Sequence, residues 1–255
     1  MNYYNEIDPF AAAWLRNLIA KKLIADGDVD QRSIRDVQPE DLRGYAQCHF
    51  FAGIGGWPYA LRLAEWPDDK AVWTGSCPCQ PFSEAGLKRG KDDPRHLWPE
   101  FSRLISKREP SIIFGEQIAG NGGLEWLAGV QDDMEAKNYA FAAVDLCSAC
   151  VGSPTRRQRL YWAASLDDAP GSRQPSERRG EPEESKSGKC VPSVGRLEFW
   201  GRSARQGRDG TRRRIEPNIQ PLVDGFSRNL GIVRGSGNAI NPYVAALFVA
   251  AYQGW

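Results

Sequence analysis

The 255-residue sequence contains no apolar run near the roughly 20 residues that a helix needs to cross a bilayer. Its longest such run, VAALFVAAY (244–252), reads as a buried helix. The opening MNYYNEIDPF is polar and acidic, unlike a signal peptide. Net charge is nearly absent as well. The 33 Lys and Arg balance 32 Asp and Glu to leave +1, so no global field announces a polyanionic partner. Histidine is scarce, and neither His49 nor His96 stands in a metal-ligand pattern. Cys147-Ser-Ala-Cys150 has the spacing of half a zinc clip, but Cys77-Pro-Cys79 is wrongly spaced for the other half, and no metal is expected. No internal repeat is visible. These absences exclude a membrane-spanning role and point to a reduced, cytoplasmic setting in which the six cysteines remain thiols.

What charge there is lies unevenly. Residues 156–214 hold fifteen Lys and Arg against eight Asp and Glu, a local balance of +7, whereas residues 1–47 hold six against eight. Such a basic segment suits either a surface facing a polyanion or a solvated loop. Along the chain, helical and extended patterns alternate. DPFAAAWLRNLIAKKLIA (8–25) has helical spacing behind an Asp8 cap and Pro9, and an acidic loop follows over 26–44. CHFF, AVWTGSC, SIIFGEQ, YAFAAVDLC and RLYWAAS read as strands, interleaved with helices at WPYALRLAEW, LWPEFSRLISKR and GGLEWLAGVQDDMEAKN. That alternation predicts an α/β fold with a doubly wound, mostly parallel sheet, whose sites gather at the carboxyl ends of the strands. Residues 167–218 are rich in Gly, Pro, Ser, Arg and Glu, and are expected to form a loosely ordered insert or small lobe. The final helix, NPYVAALFVAAY, returns to the sheet domain.

Four stretches carry chemistry. FAGIGG (51–56) joins a strand to a helix, and its glycines suit either a plain tight turn or close approach to a nucleotide-type cofactor. GSCPCQPFSEAG (75–86) delivers two cysteines at a strand's carboxyl end between stiffening prolines; a clip, a buried structural thiol and a nucleophile are all open uses. Glu116 follows an apolar strand, where partial desolvation raises a carboxyl pKa and suits it to acid–base work, though a capping or surface glutamate has the same pattern. Arg157 and Arg159, two residues apart on an extended segment, share a face that fits a phosphate or an electron-rich base.

The order of these elements resembles that of the DNA cytosine-5 methyltransferases: F-x-G-x-G-G, then P-C-Q-P-F-S, then a strand ending in Glu, then R-x-R, then G-N-A-I-N-P. The resemblance covers roughly 1–165 and 230–252 and implies a Rossmann-like, S-adenosylmethionine-dependent methyltransferase fold. It assigns Phe51, Ala52, Gly53, Ile54, Gly55 and Gly56 to the S-adenosylmethionine loop, and Cys79 to the nucleophile, with Pro78 on the cofactor side and Gln80 and Ser83 near DNA. Leu97 would touch the cofactor, and Gly237, Asn238 and Ala239 would complete its pocket. Glu116 matches the glutamate of the family's Glu-Asn-Val motif, and Arg157 and Arg159 its paired arginines. Two departures fall beside the chemistry: Gln117-Ile118 replaces Asn-Val, and Thr155 stands where the family has glutamine.

A third departure is larger. Only 22 residues separate Gly56 from Cys79, too few for the strand–helix–strand that normally carries the ribose-binding acid. YNEIDPFAAAWLRNLI (4–19) resembles that missing piece, which implies a permuted segment over 1–47 with Glu6 and Asp8 at the ribose hydroxyls. The adenine contact falls on Ser33 and Ile34 in one alignment and on Asp28 in another. The implied organisation is a catalytic domain over 1–166, a target-recognition insert over 167–228 containing Arg212, Arg213 and Arg214, and a returning C-terminal segment over 229–255. The implied partner is double-stranded DNA, bound by a monomer without a nuclease segment, encoded by a bacterium or a phage and tied to restriction-modification. The same residues also suit a pyrimidine modifier acting on RNA or with another one-carbon donor, or a DNA-binding relative without turnover.

Overall fold

The computed structural model describes residues 1–78, 96–153, 157–166, 204–206, 212–214 and 239–254. Strand β1 (Asn2–Asn5) leads through α1 (Pro9–Ala20) to β2 (Gly27–Asp30). Next come β3 (Gln47–Phe50), α2 (Gly56–Leu63), β4 (Val72–Gly75), α3 (Trp98–Arg108), β5 (Ile112–Ile118) and α4 (Asn121–Glu135). The sheet is completed by β6 (Ala140–Cys147) and β7 (Gln158–Ser165), and α5 (Pro242–Tyr252) is the last helix. The expected cap is present: Asp8 accepts from the Ala11 amide at 2.9 Å, with Pro9 in the first turn.

Seven strands form one sheet in the order β2-β1-β3-β4-β5-β7-β6, parallel as far as β5, with β7 antiparallel to both β5 and β6. Strands β1, β3 and β4 are buried along their whole length because helices cover both faces. On one face Phe50, Trp73, Ile113 and Trp162 meet Trp98, Phe101 and Leu104 of α3 and Trp126 of α4. Trp98 stands edge-on to Phe101, Trp126 and Trp162 at 5.9, 5.6 and 6.0 Å between ring centres. Truncating a ring of this cluster to alanine costs about 3–5 kcal/mol. On the opposite face α2 and α5 cover Phe114 and Tyr161, and α1 covers Tyr4.

The acidic stretch expected as a loop over 26–44 contains a strand, β2. GDVD is a poor strand former, and its pairing is imposed from outside. Gly27 lies so close to β1 that an added Cβ would sit 2.1 Å from the Asn2 carbonyl oxygen. The hydroxyls of Tyr3 and Tyr45 tie Asp30 and Asp28, each at 2.7 Å. Within the expected loose insert, residues Ala204–Gln206 and Arg212–Arg214 pair as a two-stranded antiparallel ribbon, β8 and β9, with Arg205 opposite Arg213.

Chain direction exposes an anomaly in this sheet. The β1–α1–β2 unit runs toward one edge with α1 on the face of α2 and α5. The β2–β3 connection and β4–α3–β5 run toward the other edge, with Ile34, Val37, Leu42 and Phe101 on the opposite face. These three crossovers share a hand. The β3–α2–β4 unit also runs toward the second edge but keeps its helix on the α1 face, so its hand is reversed, against a rule kept in about 98% of such units. Counted from β3, the strand order reads 3-2-1-4-5, that of a doubly wound sheet, and a link from α2 into β1 would carry the common hand. The ends that such a relinking would exchange already meet. The Ala46 amide donates to the Met1 carbonyl at 3.0 Å, and the Val72 amide to the Ala46 carbonyl at 3.3 Å.

Candidate active site

The crevice of the sheet opens between the carboxyl ends of β3 and β4, whose following segments part to opposite faces, one into α2 and the other toward α3. The glycine turn forms its first wall. Phe51, Gly53 and Gly55 all have positive φ (52°, 55° and 87°), so the chain bends sharply into α2 and leaves its first amides uncovered. Ala52 packs beside Tyr4 and Leu15, which seats the turn on α1. Gly56 has no room for a side chain, since an added Cβ would lie 2.6 Å from Cγ1 of Ile240. That close approach brings Ala239, just before α5, to the turn. Ala239 and Ile54 both line an apolar cavity of about 260 Å³ behind it, together with Leu18, Gly55, Tyr59 and Pro242. Asn238 lies outside the described residues.

Glu6 enters from β1. One carboxylate oxygen accepts from the Gly53 amide at 2.7 Å and the other from the Asp8 amide at 2.8 Å. The front segment and the glycine turn, 47 positions apart, are thereby joined by one side chain. Asp8 is committed to capping α1. Ile34 is 3% exposed with its side chain in the core, and Ser33 sits half-buried beside it. Asp28 belongs to β2 itself and is engaged by Tyr45. Leu97 precedes α3 and packs against the core rings.

The second wall carries the titrating groups. Glu116 in β5 is 7% exposed, and its Oε1 lies 2.8 Å from Nε of Arg159. Antiparallel pairing makes this possible: β7 starts where β5 ends, with Arg159 opposite Ile118 and Tyr161 opposite Glu116. Burial pushes the Glu116 carboxyl above the usual carboxylate range, against the opposing pull of Arg159, Arg157 and a hydrogen bond from Ser76. Arg157 is pushed down by burial and by the neighbouring Arg159 charge.

Strand β4 delivers the cysteine motif to this edge. Cys77 is 4% exposed and packs with Trp98 and Phe101 in the core, its thiol pushed well above the ordinary range by burial, which leaves it inert as a nucleophile. Gln117 Nε2 donates to the Cys77 carbonyl at 3.3 Å while its Oε1 accepts from the Ile118 amide at 2.9 Å. The longer stem at this departure from the family motif is thus used to tie β5 to the backbone that runs into Pro78. Cys79, Gln80 and Ser83 lie outside the described residues, as do the side chains of Arg212, Arg213 and Arg214. Sequence reasoning missed two members of the site, Ser76 and Trp57, whose indole Nε1 donates to Ser76 Oγ at 3.0 Å. Neither belongs to a spaced motif, and only the folded crevice brings them together.

Residues 61–195 match the family model of C-5 cytosine-specific DNA methylases. The Type II methyltransferase M.HhaI of Haemophilus parahaemolyticus is 29% identical over an alignment of 173 residues that covers 52% of this chain and 53% of that protein. M.NgoMIV of Neisseria gonorrhoeae is 48% identical over 60 residues, 24% of this chain and 19% of its own length. Among solved structures, a DNMT2 of Spodoptera frugiperda superposes with a TM-score of 0.45 at 17% identity, covering 70% of this chain and 45% of that one. The matched family model spans more than half of the sequence, and the chain belongs to the C-5 cytosine-specific DNA methylase family. It aligns with about half of M.HhaI and with less of M.NgoMIV.

Proposed function

We propose that the protein is a DNA cytosine-5 methyltransferase that takes its methyl group from S-adenosylmethionine and works through a covalent adduct at Cys79. The observation that carries this reading is the buried Glu116–Arg159 pair at 2.8 Å, set on the strand next to the one that runs into Pro78-Cys79-Gln80. The cofactor half of the crevice fits the molecule required. Glu6 offers carboxylate oxygens at the turn, and each retains accepting capacity for a ribose hydroxyl beside its backbone donor. The first amides of α2 and the tight Gly56–Ile240 contact supply a close wall for the remainder. S-adenosylmethionine, when bound, supplies an electrophilic sulfonium methyl.

This chain's residues do the rest. Cytosine C5 is a weak nucleophile until a thiolate adds to C6 and turns the ring into an enamine, and Cys79 supplies that thiolate. Glu116 in its protonated form donates to N3 and offsets the negative charge that builds in the ring. Arg159 steadies O2, and Arg157 adds positive charge near the base or its phosphate. Loss of the C5 proton and expulsion of the thiolate release 5-methylcytosine. The target base is flipped out of the duplex, with Gln80 and Ser83 near the gap that it leaves. Residues 1–47 form the cofactor-binding segment of a permuted catalytic domain over 1–166, which the reversed β3–α2–β4 hand supports. Residues 167–228, with Arg212–Arg214, contact target DNA before 229–255 return to the sheet.

Transfer of tritiated methyl from S-adenosylmethionine to mixed-sequence duplex DNA tests the reading, with bisulfite sequencing of the product. Incorporation at cytosine C5 that vanishes in Cys79→Ala is the expected result. No incorporation by a chain that binds S-adenosylmethionine in calorimetry would refute it.

A further inference from the structure

Trp57 and Ser76 stand on the two walls of the crevice, one in the first turn of α2 and the other just past β4. The indole N–H can only donate, and it does so to Ser76 Oγ at 3.0 Å. A serine hydroxyl has one proton and two lone pairs, so a lone pair occupied by the indole leaves the proton to be aimed elsewhere. Ser76 hydrogen-bonds Glu116, whose other partner among the described residues is Arg159 Nε at 2.8 Å, with the Arg157 charge also close. An arginine has no acceptor. Each described partner of the Glu116 carboxyl is therefore either a cation or a hydroxyl already biased to donate.

We infer that Trp57 is a positioning residue that holds Ser76 as a donor and so forces the acid proton of Glu116 outward, toward the reacting base. The inference rests on the reading of Glu116 as the N3 donor. If Ser76 could accept, a protonated Glu116 would have an internal partner, and its O–H would turn inward. With the Trp57 N–H on one lone pair and the Ser76 proton given to Glu116, none of the partners of Glu116 among the described residues is left to accept the acid proton, which is free for the substrate. Neither side chain touches the base, and neither changes bonding in the reaction. Trp57 also directly follows the glycine turn, so the cofactor wall and the acid wall share one hydrogen-bonded line, Trp57–Ser76–Glu116–Arg159.

Three variants of the full chain test the inference: Trp57→Phe, Ser76→Ala and the double variant. Phenylalanine keeps a ring against Phe114, on which Trp57 stacks at 6.1 Å, and removes only the N–H. Trp57→Phe is expected to lower kcat about tenfold, the worth of one misdirected hydrogen bond. KM for DNA and the calorimetric affinity for S-adenosylmethionine should stay unchanged. Ser76→Ala removes the competing acceptor, so it should cost only about twofold although it lies nearer to Glu116. The double variant should recover to the Ser76→Ala level. In Trp57→Phe the alkaline fall of kcat should move to higher pH, because the acid form gains an internal acceptor. Equal kcat and equal pH profiles in Trp57→Phe and the parent, or a double variant slower than both single ones, would overturn the inference and leave the methyltransferase reading standing. Absence of methyl transfer by the parent chain would overturn that reading, and this inference with it.

Discussion

Glu6 and Glu116 stand on the same edge of the sheet, three strands apart and so separated by roughly 14 Å, and their surroundings differ in kind. Glu6 is half-buried at the end of β1 and accepts from two backbone amides, those of Gly53 and Asp8. Glu116 is buried inside β5, faces Arg159 and takes the Ser76 hydroxyl. Two backbone amides hold the first side chain in place as an acceptor, suited to hydroxyls. Burial brings the second toward protonation against the pull of Arg159 and Arg157, which suits it to a base that gains charge. The same functional group is thus assigned to binding at one end of the crevice and to chemistry at the other.

The sharpest way to break this division is Glu116→Gln. It keeps size and packing but cannot give a proton, and kcat should fall by about 10²–10³ with S-adenosylmethionine affinity within about twofold of the parent. The pH profile follows from the same burial. In the proposed mechanism the acid form is the active one, and burial raises its pKa. The contribution of Glu116 is therefore present below that pKa and lost as pH rises through it. Arg159→Gln removes a charge that favours the carboxylate, so it should move this alkaline limb to higher pH in steady-state assays. A shift to lower pH would contradict the assignment.

Glu6→Ala should act on the other side of the comparison. Affinity for S-adenosylmethionine should drop about 10–100-fold in calorimetry, on the scale of a lost charge-assisted hydrogen bond or two, while kcat at saturating cofactor changes little. Equal losses of kcat in Glu6→Ala and Glu116→Gln would erase the division. Gly56→Ala tests the wall between them, because its Cβ would press on buried Ile240 at 2.6 Å. A loss of about 1–3 kcal/mol in urea unfolding is expected, with part of it recovered when Ile240→Ala is added.

An effect confined to acid pH concerns the strand beneath the turn. His49 is fully buried between Thr74, 2.8 Å from Nδ1, and Gln47, 3.2 Å from Nε2, and burial lowers its pKa to about 3. The unfolded chain binds the proton first, at the ordinary value of 6.5, so stability declines as pH falls from 6.5 toward about 3. His49→Gln should flatten that decline by up to about 1.4 kcal/mol per pH unit, read from urea titrations across the range.

Much of this was legible before folding. Helical periodicity and apolar runs located α1 to α5 and β3 to β7 within a few residues, because buried strands and amphipathic helices write their surroundings into composition. The motif order put Glu116 and Arg159 in one proposed site, and the fold brings these two side chains to 2.8 Å. Cys77 packs in the core, the structural-thiol use among those that its motif left open. What stayed hidden was set by contacts between distant segments. Strand β2 is made by its neighbour and not by its own residues. The reach of Arg159 to Glu116 depends on β7 running antiparallel, which alternation alone does not encode. Trp57 and Ser76 carry no spacing signal, since a single tryptophan in a helix reads as core and a single serine after a strand as turn. The proposed permutation falls in between: the short gap before Cys79 hints at it, and the order β2-β1-β3-β4-β5 with its reversed crossover is consistent with it.

The central claim is a covalent bond from Cys79 to cytosine C6, and adduct trapping tests it most directly. A duplex substituted with 5-fluorocytosine has no proton to lose at C5, so the adduct that forms cannot resolve. Incubation with S-adenosylmethionine, digestion and mass mapping should yield a nucleotide-bearing peptide that contains Cys79, dependent on cofactor and absent from Cys79→Ala. Methyl transfer to ordinary DNA with no trapped peptide, or an adduct on any other residue, would contradict the account.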